Sequence, residues 1–372
     1  MTDVGPGGPG AAPSARAAQH VTLQDVADRA GVSLATASRV VNDGSRRVGK
    51  PLVDRVQQAV TDLGYTANLQ ARAVATGHST MIGVALRDIS DPYFSSIAAG
   101  LIEVAGAGGH LVCMTSTAAH EDAEREYVAL MRAQRALAVV LVGSRSDSPA
   151  AREALRSELE AFTRSGGRAA CVGQDLLGVD TVLPENRAGA DALARALAAL
   201  GHRRFAVLAG PRSLLTGQDR TEGFSGGLRA WSVPVDPARV VHGDLSRDGG
   251  YAAMSEILAA GEPLPDCVFA VSDIMAVGAL ARLRAAGLDV PGDIALAGFD
   301  DIPTLRDVYP PLTTVRLPLK RLGELAARLV LSGDAPQQPR VVPVPGEVVL
   351  RDSTRPRPPA AQVRPPRPPA SR

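Results

Sequence analysis

VTLQDVADRAGVSLATASRVVNDG, from Val21 to Gly44, carries two short amphipathic patterns joined by one glycine. Thr22 with Asp25 makes a capping-box start, and Leu23, Val26, Ala27 and Ala30 fall on one helical face. Gly31 stops that helix. Ser33 caps the next one, which turns Ala37, Val40 and Val41 inward. Pro51 opens a third helix with Val53, Val56, Val60 and Leu63 on a shared face. Three short helices with so few large apolar side chains make a very small core, so the module exists to present a surface. With Ala37, Val40 and Val41 inside, Leu34, Ala35, Ser38 and Arg39 face outward. A helix, a tight turn and a second helix is the arrangement that reads the DNA major groove. Arginine and serine donate to bases or phosphates there, while leucine and alanine meet thymine methyls. A small helical dimerisation module would show the same pattern.

The chain around this stretch is 372 residues long, 45% hydrophobic and nearly neutral at +1. That length supports two or three domains with cores that need no staples. Only Lys50 and Lys320 are lysines, so the arginine excess reads as compositional bias and scattered arginines say little. Cys113, Cys171 and Cys267 stand far apart in apolar runs, without metal-ligand spacing, which suits free thiols in a reducing cytoplasm. No apolar run approaches a membrane span, and the N-terminus lacks a signal peptide's apolar region. GPGGPG, Gly5 to Gly10, formally matches a dinucleotide fingerprint. No strand precedes it and prolines interrupt it, so it reads as part of a disordered leader. RPRPPAAQVRPPRPPASR at the other end reads as an extended, basic tail.

Between about Thr80 and Thr354 short apolar runs alternate with helical stretches. MIGVAL, LVCMTS, ALAVVLVG and RAACVG form a first group, with helices from Phe94 to Ala107, from Asp122 to Arg132, and through Leu155 and Leu159. TVLP opens a second group, followed by FAVLAG, VVHGD, CVFAVS and IALAGFD. Its helices run from Arg187 to Leu200, Thr221 to Ala230, Tyr251 to Leu258 and Ile274 to Ala286. This rhythm means βαβ units and parallel sheets covered on both faces. Two such groups predict two doubly wound α/β subdomains, with a ligand cleft between them beyond the carboxyl ends of the strands.

VTLQDVADRAGVSLATASRVVNDGSRRV, followed by LGYTANLQARAVATGHSTMIGVALRDISDPYF, closely resembles the head of the lac repressor/galactose repressor (LacI/GalR) family. ENRAGADALARALAALGHRRFAVLAGP, RTEGF, VSDIMAVGALARLRAAGLDVPGDIALAGFDDIP and PPLTTVRLP resemble the family's regulatory domain in the same order. The resemblance covers about Val21 to Thr354. It implies a small all-α helix-turn-helix head on an α/β periplasmic-binding-protein-like regulatory domain of two doubly wound parallel-sheet subdomains. It also implies DNA contacts by Thr22, Ser33, Leu34, Ala35, Thr36, Ser38, Arg39 and Asn42, and a hinge helix contributing Asn68, Ala71, Arg72 and Val74. The family usually carries a leucine wedge where this chain has Val74, and a proline is common where it has Ala67. A smaller β-branched wedge fills less of an opened base step. Effector contacts are implied at Arg220, Asp273 and Asp300, with Tyr93, Phe94, Gln174 and Glu185 as further candidates. Ser272 stands where the family often has asparagine. A guanidinium and carboxylates at opposing strand ends can bracket adjacent hydroxyls of a sugar or polyol. The same groups could instead form structural ion pairs.

The expected layout is a disordered leader (1–19), a helix-turn-helix head (20–66), a hinge helix (67–78), an effector-binding and dimerisation domain (79–354) and a disordered tail (355–372). Within 79–354, one subdomain is expected from 79–178 with 309–335, and the other from 179–308 with 336–354. The reading is a cytoplasmic homodimer or tetramer, a repressor that binds operator DNA under the control of a sugar-like effector. It needs no cofactor, metal or membrane. A solute-binding protein without transcriptional role shares the cleft but not the helix-turn-helix. For an enzyme, the sequence offers no H-E-x-x-H, G-x-S-x-G or Walker loop.

Overall fold

The computed structural model describes residues 21–42, 48–66, 79–117, 122–261, 263–333 and 338–356. The chain divides into two compact units, Met1–His78 and Ser79–Arg372. The expected leader, hinge helix and most of the tail lie outside the described residues, as do Asn68, Ala71, Arg72 and Val74.

The first unit is built from α1 (Leu23–Ala30), α2 (Leu34–Asn42) and α3 (Lys50–Leu63). Both halves of the capping box form: Asp25 N–H donates to Thr22 Oγ1 at 3.3 Å, and Thr22 N–H donates to Asp25 Oδ2 at 2.8 Å. That backbone donor holds the Asp25 carboxyl below its ordinary range. Gly31 ends α1 at φ +62°, a left-handed cap that a side chain would strain. Val26, Ala30, Val40, Val56 and Ala59 form the core, with Val53, Val60 and Leu63 packed beside them. Ala37 and Val40 are buried as the period predicts, and Val41 is half-buried against the core.

The second unit opens with β1 (Met81–Leu86), α4 (Pro92–Ala107), β2 (Leu111–Ser116), α5 (Ala123–Ala133), β3 (Ala138–Val142), α6 (Pro149–Arg164), β4 (Arg168–Val172) and β5 (Asp180–Pro184). It continues with α7 (Asn186–Ala199), β6 (Phe205–Ala209), α8 (Leu215–Arg229), β7 (Val240–His242), α9 (Arg247–Ala259), β8 (Cys267–Ala270), α10 (Asp273–Ala285) and β9 (Ala295–Ala297). Then come β10 (Thr314–Arg316), α11 (Leu319–Leu331), β11 (Val341–Val344) and β12 (Glu347–Val349). A six-stranded parallel sheet has the order β11-β5-β4-β3-β1-β2, and a four-stranded parallel sheet has the order β7-β6-β8-β9. β10 and β12 form an antiparallel ribbon. The central strands are buried along their whole length, as parallel strands covered on both faces must be.

Sheet membership moves the expected subdomain boundaries. TVLP was expected to open the second group, and 336–354 to belong with it. Instead β5 pairs with β4, and β11 pairs with β5, so both lie in the first sheet. Asp180 fixes this edge by accepting from Arg340 N–H at 2.8 Å and from Arg340 Nε at 3.1 Å. In the other direction, 309–335 was expected whole in the first subdomain. Thr313 and Ser353 tie the segment before β10 to β9 of the second sheet. Apolar runs announce strands, but pairing partners decide which sheet each strand joins.

Candidate DNA-reading face and effector cleft

On the first unit, Ser33 caps α2: its Oγ accepts Thr36 N–H at 3.1 Å and pairs with Thr36 Oγ1 at 2.9 Å. The start of α2 therefore holds one fixed presentation. Leu34 stands 46% exposed, with Ala35 and Arg39 exposed beside it and Thr36 and Ser38 half-buried. Among the described residues Leu34 does not belong to the head's apolar core, so it stands as an exposed leucine on α2. Thr22 spends its hydroxyl on the capping box, which leaves it exposed but engaged. Asn42 is the last residue of α2.

In the second unit, a cleft of about 580 Å³, part of it open to solvent, lies between the two subdomains. Its walls come from the carboxyl ends of strands in both sheets: Arg87 and Asp91 after β1, Gly143 and Ser144 after β3, Val172 and Gly173 at β4, Val271 and Ser272 after β8, and Asp300 after β9. Parallel α/β sheets bind ligands at this end.

Asp91 caps α4 by accepting Tyr93 N–H at 2.9 Å. Burial raises its carboxyl above the ordinary range, against that hydrogen bond and the Arg220 charge. Tyr93 and Phe94 meet edge to face at 4.9 Å, and both line the cleft. Burial, with Asp300 nearby, raises the Tyr93 phenol well above its usual range.

Opposite stands Arg220 on α8. Its Nη2 donates to Asp300 Oδ1 at 2.8 Å, Nη1 to the Val271 carbonyl at 2.7 Å and Nε to Asn186 Oδ1 at 2.9 Å. Its guanidinium also lies 3.9 Å from the centroid of Phe299, a cation–π contact. Burial pushes the Asp300 carboxyl up to about 7, although Arg220 opposes the shift. Asp300 sits at φ +123° and Asp301 at φ +58°, backbone positions that non-glycine residues rarely adopt. Asp301 anchors the turn by accepting from Arg316 Nε at 2.7 Å and from Arg351 Nη2 at 2.5 Å. Burial opposes ionisation of Asp301, but the two guanidiniums win and hold its carboxyl below the ordinary range.

The cleft thus unites Tyr93, Phe94, Arg220 and Asp300. Asp273 and Gln174 do not line it. Asp273 is fully buried, its Oδ1 accepting from Thr314 Oγ1 at 2.7 Å and its Oδ2 from Ile302 N–H at 3.0 Å. One oxygen holds the 298–302 turn and the other ties Asp273 to β10, so Asp273 supports Asp300 from behind. Gln174 bridges the subdomains, accepting Arg145 N–H at 2.9 Å and donating to Thr216 Oγ1 at 3.0 Å and Asp219 Oδ2 at 3.2 Å. Glu185 is also outside the lining, whereas Asn186 next to it is inside.

The sequence reading missed Asp91, Asn186 and Ser272 as lining residues. Each had a signal: Asp91 precedes the Pro92 that opens α4, Asn186 opens α7, and Ser272 stands at the N-cap position of α10. Ser272 Oγ is buried and has no hydrogen-bond partner among the described residues. A buried, unsatisfied hydroxyl on a cleft wall is a position that a ligand's polar group can satisfy. Among the described residues no cluster of histidine, cysteine and carboxylate side chains could hold a metal, and no helix is long and apolar enough to cross a membrane.

Comparison with known proteins agrees with this geometry. Residues 22–68 match the model of bacterial regulatory proteins of the lacI family, and residues 194–354 match the periplasmic binding protein-like domain. The HTH-type transcriptional repressor CytR of Escherichia coli K12 is 33% identical over 310 residues, covering 83% of this chain and 89% of CytR. The HTH-type transcriptional regulator CelR of Thermobifida fusca is 31% identical over 330 residues, covering 86% and 95%. The crystal structure of the lac repressor dimer bound to operator and the anti-inducer ONPF superposes with a TM-score of 0.76 at 28% identity, covering 91% of this chain and 100% of that one. The CelR–cellobiose complex gives a TM-score of 0.65 at 28% identity, covering 90% and 99%. A helix-turn-helix head, two parallel α/β sheets flanking a cleft, and these relatives agree: the chain belongs to the lacI family of bacterial transcriptional regulators.

Proposed function

We propose that this chain is a cytoplasmic repressor that binds its operator as a homodimer, and that a sugar or related polyol in the cleft sets its operator affinity. It catalyses no reaction in this reading. Leu34, Ala35 and Arg39 read base edges and phosphates, with Thr22, Ser33, Thr36, Ser38 and Asn42 in support. Asn68, Ala71, Arg72 and Val74, which lie outside the described residues, contribute minor-groove contacts. The observation that carries the effector half is the buried Arg220–Asp300 pair facing Asp91 and Tyr93 across the cleft. A rigid fork of donors beside carboxylate acceptors matches the alternating donors and acceptors of a diol. The complex of CelR with cellobiose supports the same ligand class.

Dimerisation is supported by the edge strand β2, where Leu111 and Met114 stand 52% and 44% exposed. Exposed apolar side chains along a sheet edge invite coverage by a second copy. Binding of the effector biases closure of the two subdomains and so changes operator affinity. Coupling of roughly 1–3 kcal/mol is typical of such a device. A thermal-shift screen over sugars, nucleosides and polyols tests the reading. A true effector at a hundred times its Kd adds about 2.7 kcal/mol to stability. A hit whose effect is lost in Arg220→Ala supports the cleft, and a hit unaffected by that variant contradicts it.

A further inference from the structure

Arg145 is the largest of the fully buried side chains among the described residues, with 2% of its surface exposed. It follows β3 by three residues. Its guanidinium grips Glu124, in the first turn of α5, through Nη1 to Oε2 at 2.7 Å and Nη2 to Oε1 at 2.9 Å. Nη2 also donates to the Gly143 carbonyl at 3.0 Å. The backbone of the same residue reaches further. Its N–H donates to Gln174 Oε1 at 2.9 Å, and its carbonyl accepts Leu215 N–H, at the start of α8, at 3.0 Å.

This last bond belongs to a clasp between the subdomains. Asp147 N–H donates to the Ser213 carbonyl at 2.9 Å, and Thr216 N–H donates to Ser144 Oγ at 2.9 Å. Ser146 and Leu214 form an antiparallel bridge between them. The clasp seats the first turn of α8, and Arg220 follows on the same helix.

The guanidinium also lies beneath the cleft floor. Gly143 and Gly173 line the cleft at φ +150° and +156°. A Cβ at Gly173 would stand 2.4 Å from the Gly143 carbonyl oxygen and 3.9 Å from Arg145 Nε, so only backbone fits there. Burial alone would lower the Arg145 pKa, but the Glu124 carboxylate outweighs it and raises it.

We propose that Arg145, held by Glu124, is the positioning residue of the effector cleft: it fixes the floor at Gly143 and Gly173 and the clasp that seats α8, without touching the effector. A bidentate fork is suited to this because it fixes both distance and plane, which a lysine ammonium does not. Arg145 holds this role in the ligand-free protein, whichever ligand the cleft takes.

Hydrogen exchange by mass spectrometry on the full chain, without ligand, tests it. In Glu124→Gln the amides of Asp147, Leu215 and Thr216 should exchange at least about tenfold faster, while those of β6 and β8 keep their wild-type rates. Arg145→Lys keeps the charge but loses the fork, and should loosen the same amides. Equal acceleration across the clasp and both strands would reduce the pair to general stability and overturn the proposal. So would unchanged clasp amides in Glu124→Gln, or full recovery of wild-type rates in Arg145→Lys. If Arg145→Lys does not fold, the Glu124→Gln result decides alone.

Discussion

Arg220 and Asp300 meet at 2.8 Å with side chains only 3% and 5% exposed, one on a helix of the second subdomain and the other in a strained turn after β9. A charge pair buried this deeply gives little net stability, yet removing one partner leaves the other uncompensated. Its value is positional: it holds a donor fork and a carboxylate side by side on a cleft wall.

Arg220→Ala is therefore expected to keep operator binding and to lose the response to whichever sugar or polyol stabilises the wild type. Breaking the pair should also destabilise the fold by about 3 kcal/mol. Denaturation midpoints and DNA-binding titrations on the same preparation separate the two effects. Parallel loss of operator and effector binding by the folded variant would remove the cleft assignment.

The pH dependence of Asp300 has a definite sign. Its carboxyl titrates at about 7 in the folded chain against 3.8 unfolded, so the folded state retains the proton longer. The stability it contributes is full below pH 3.8 and is lost as pH rises through about 7. Asp300→Asn mimics the protonated form and keeps an oxygen for Arg220. The Tm difference between Asn variant and wild type should shift in the variant's favour from pH 4 to 8. A difference that stays flat over that range contradicts the assignment.

Asp273 behaves differently because both its oxygens serve Thr314 and Ile302. Asp273→Ala should cost about 1–3 kcal/mol for each buried donor left unpaired. Folded variant should still bind the effector, with any loss arising from a looser 298–302 turn. Isothermal titration below the variant's Tm checks this; a complete loss of binding with an intact melting transition would return Asp273 to the cleft.

On the head, Arg39→Ala should weaken operator binding by about 1–3 kcal/mol if Arg39 reads a base. Effector binding should be untouched. A variant with full operator affinity would move the reading face off α2.

Much of this was legible in the sequence because it follows from local chemistry. Thr22, Gly31 and Ser33 punctuate the head as caps and a left-handed stop, and those signals act within four residues. The alternating runs announced β1 to β9 for the same reason. The strand pairings that place β5 and β11 in the first sheet are long-range and leave no local mark. The apolar runs read as strands end at IALAGFD, so β10, amphipathic α11, β11 and β12 beyond it carried no assignment of their own. Motif resemblance singled out Arg220 and Asp300, which line the cleft, and equally Asp273 and Gln174, which lie behind its lining. A carboxylate that holds a wall and one that forms it look alike until their hydrogen bonds are known. Arg145 was invisible because arginine is common in this chain and nothing local marks a buried one.

One molecule is expected to join a DNA-reading head to an effector-gated cleft. Fluorescence anisotropy of a labelled DNA fragment from upstream of its own or a neighbouring gene tests it most directly, titrated with the full chain with and without the screened effector. Specific binding is expected, shifted by the effector by about 5–150-fold in Kd, and Arg220→Ala should bind the DNA without this shift. Specific binding that no stabilising ligand alters, or a ligand-binding protein that shows no preference for any such fragment, would contradict it.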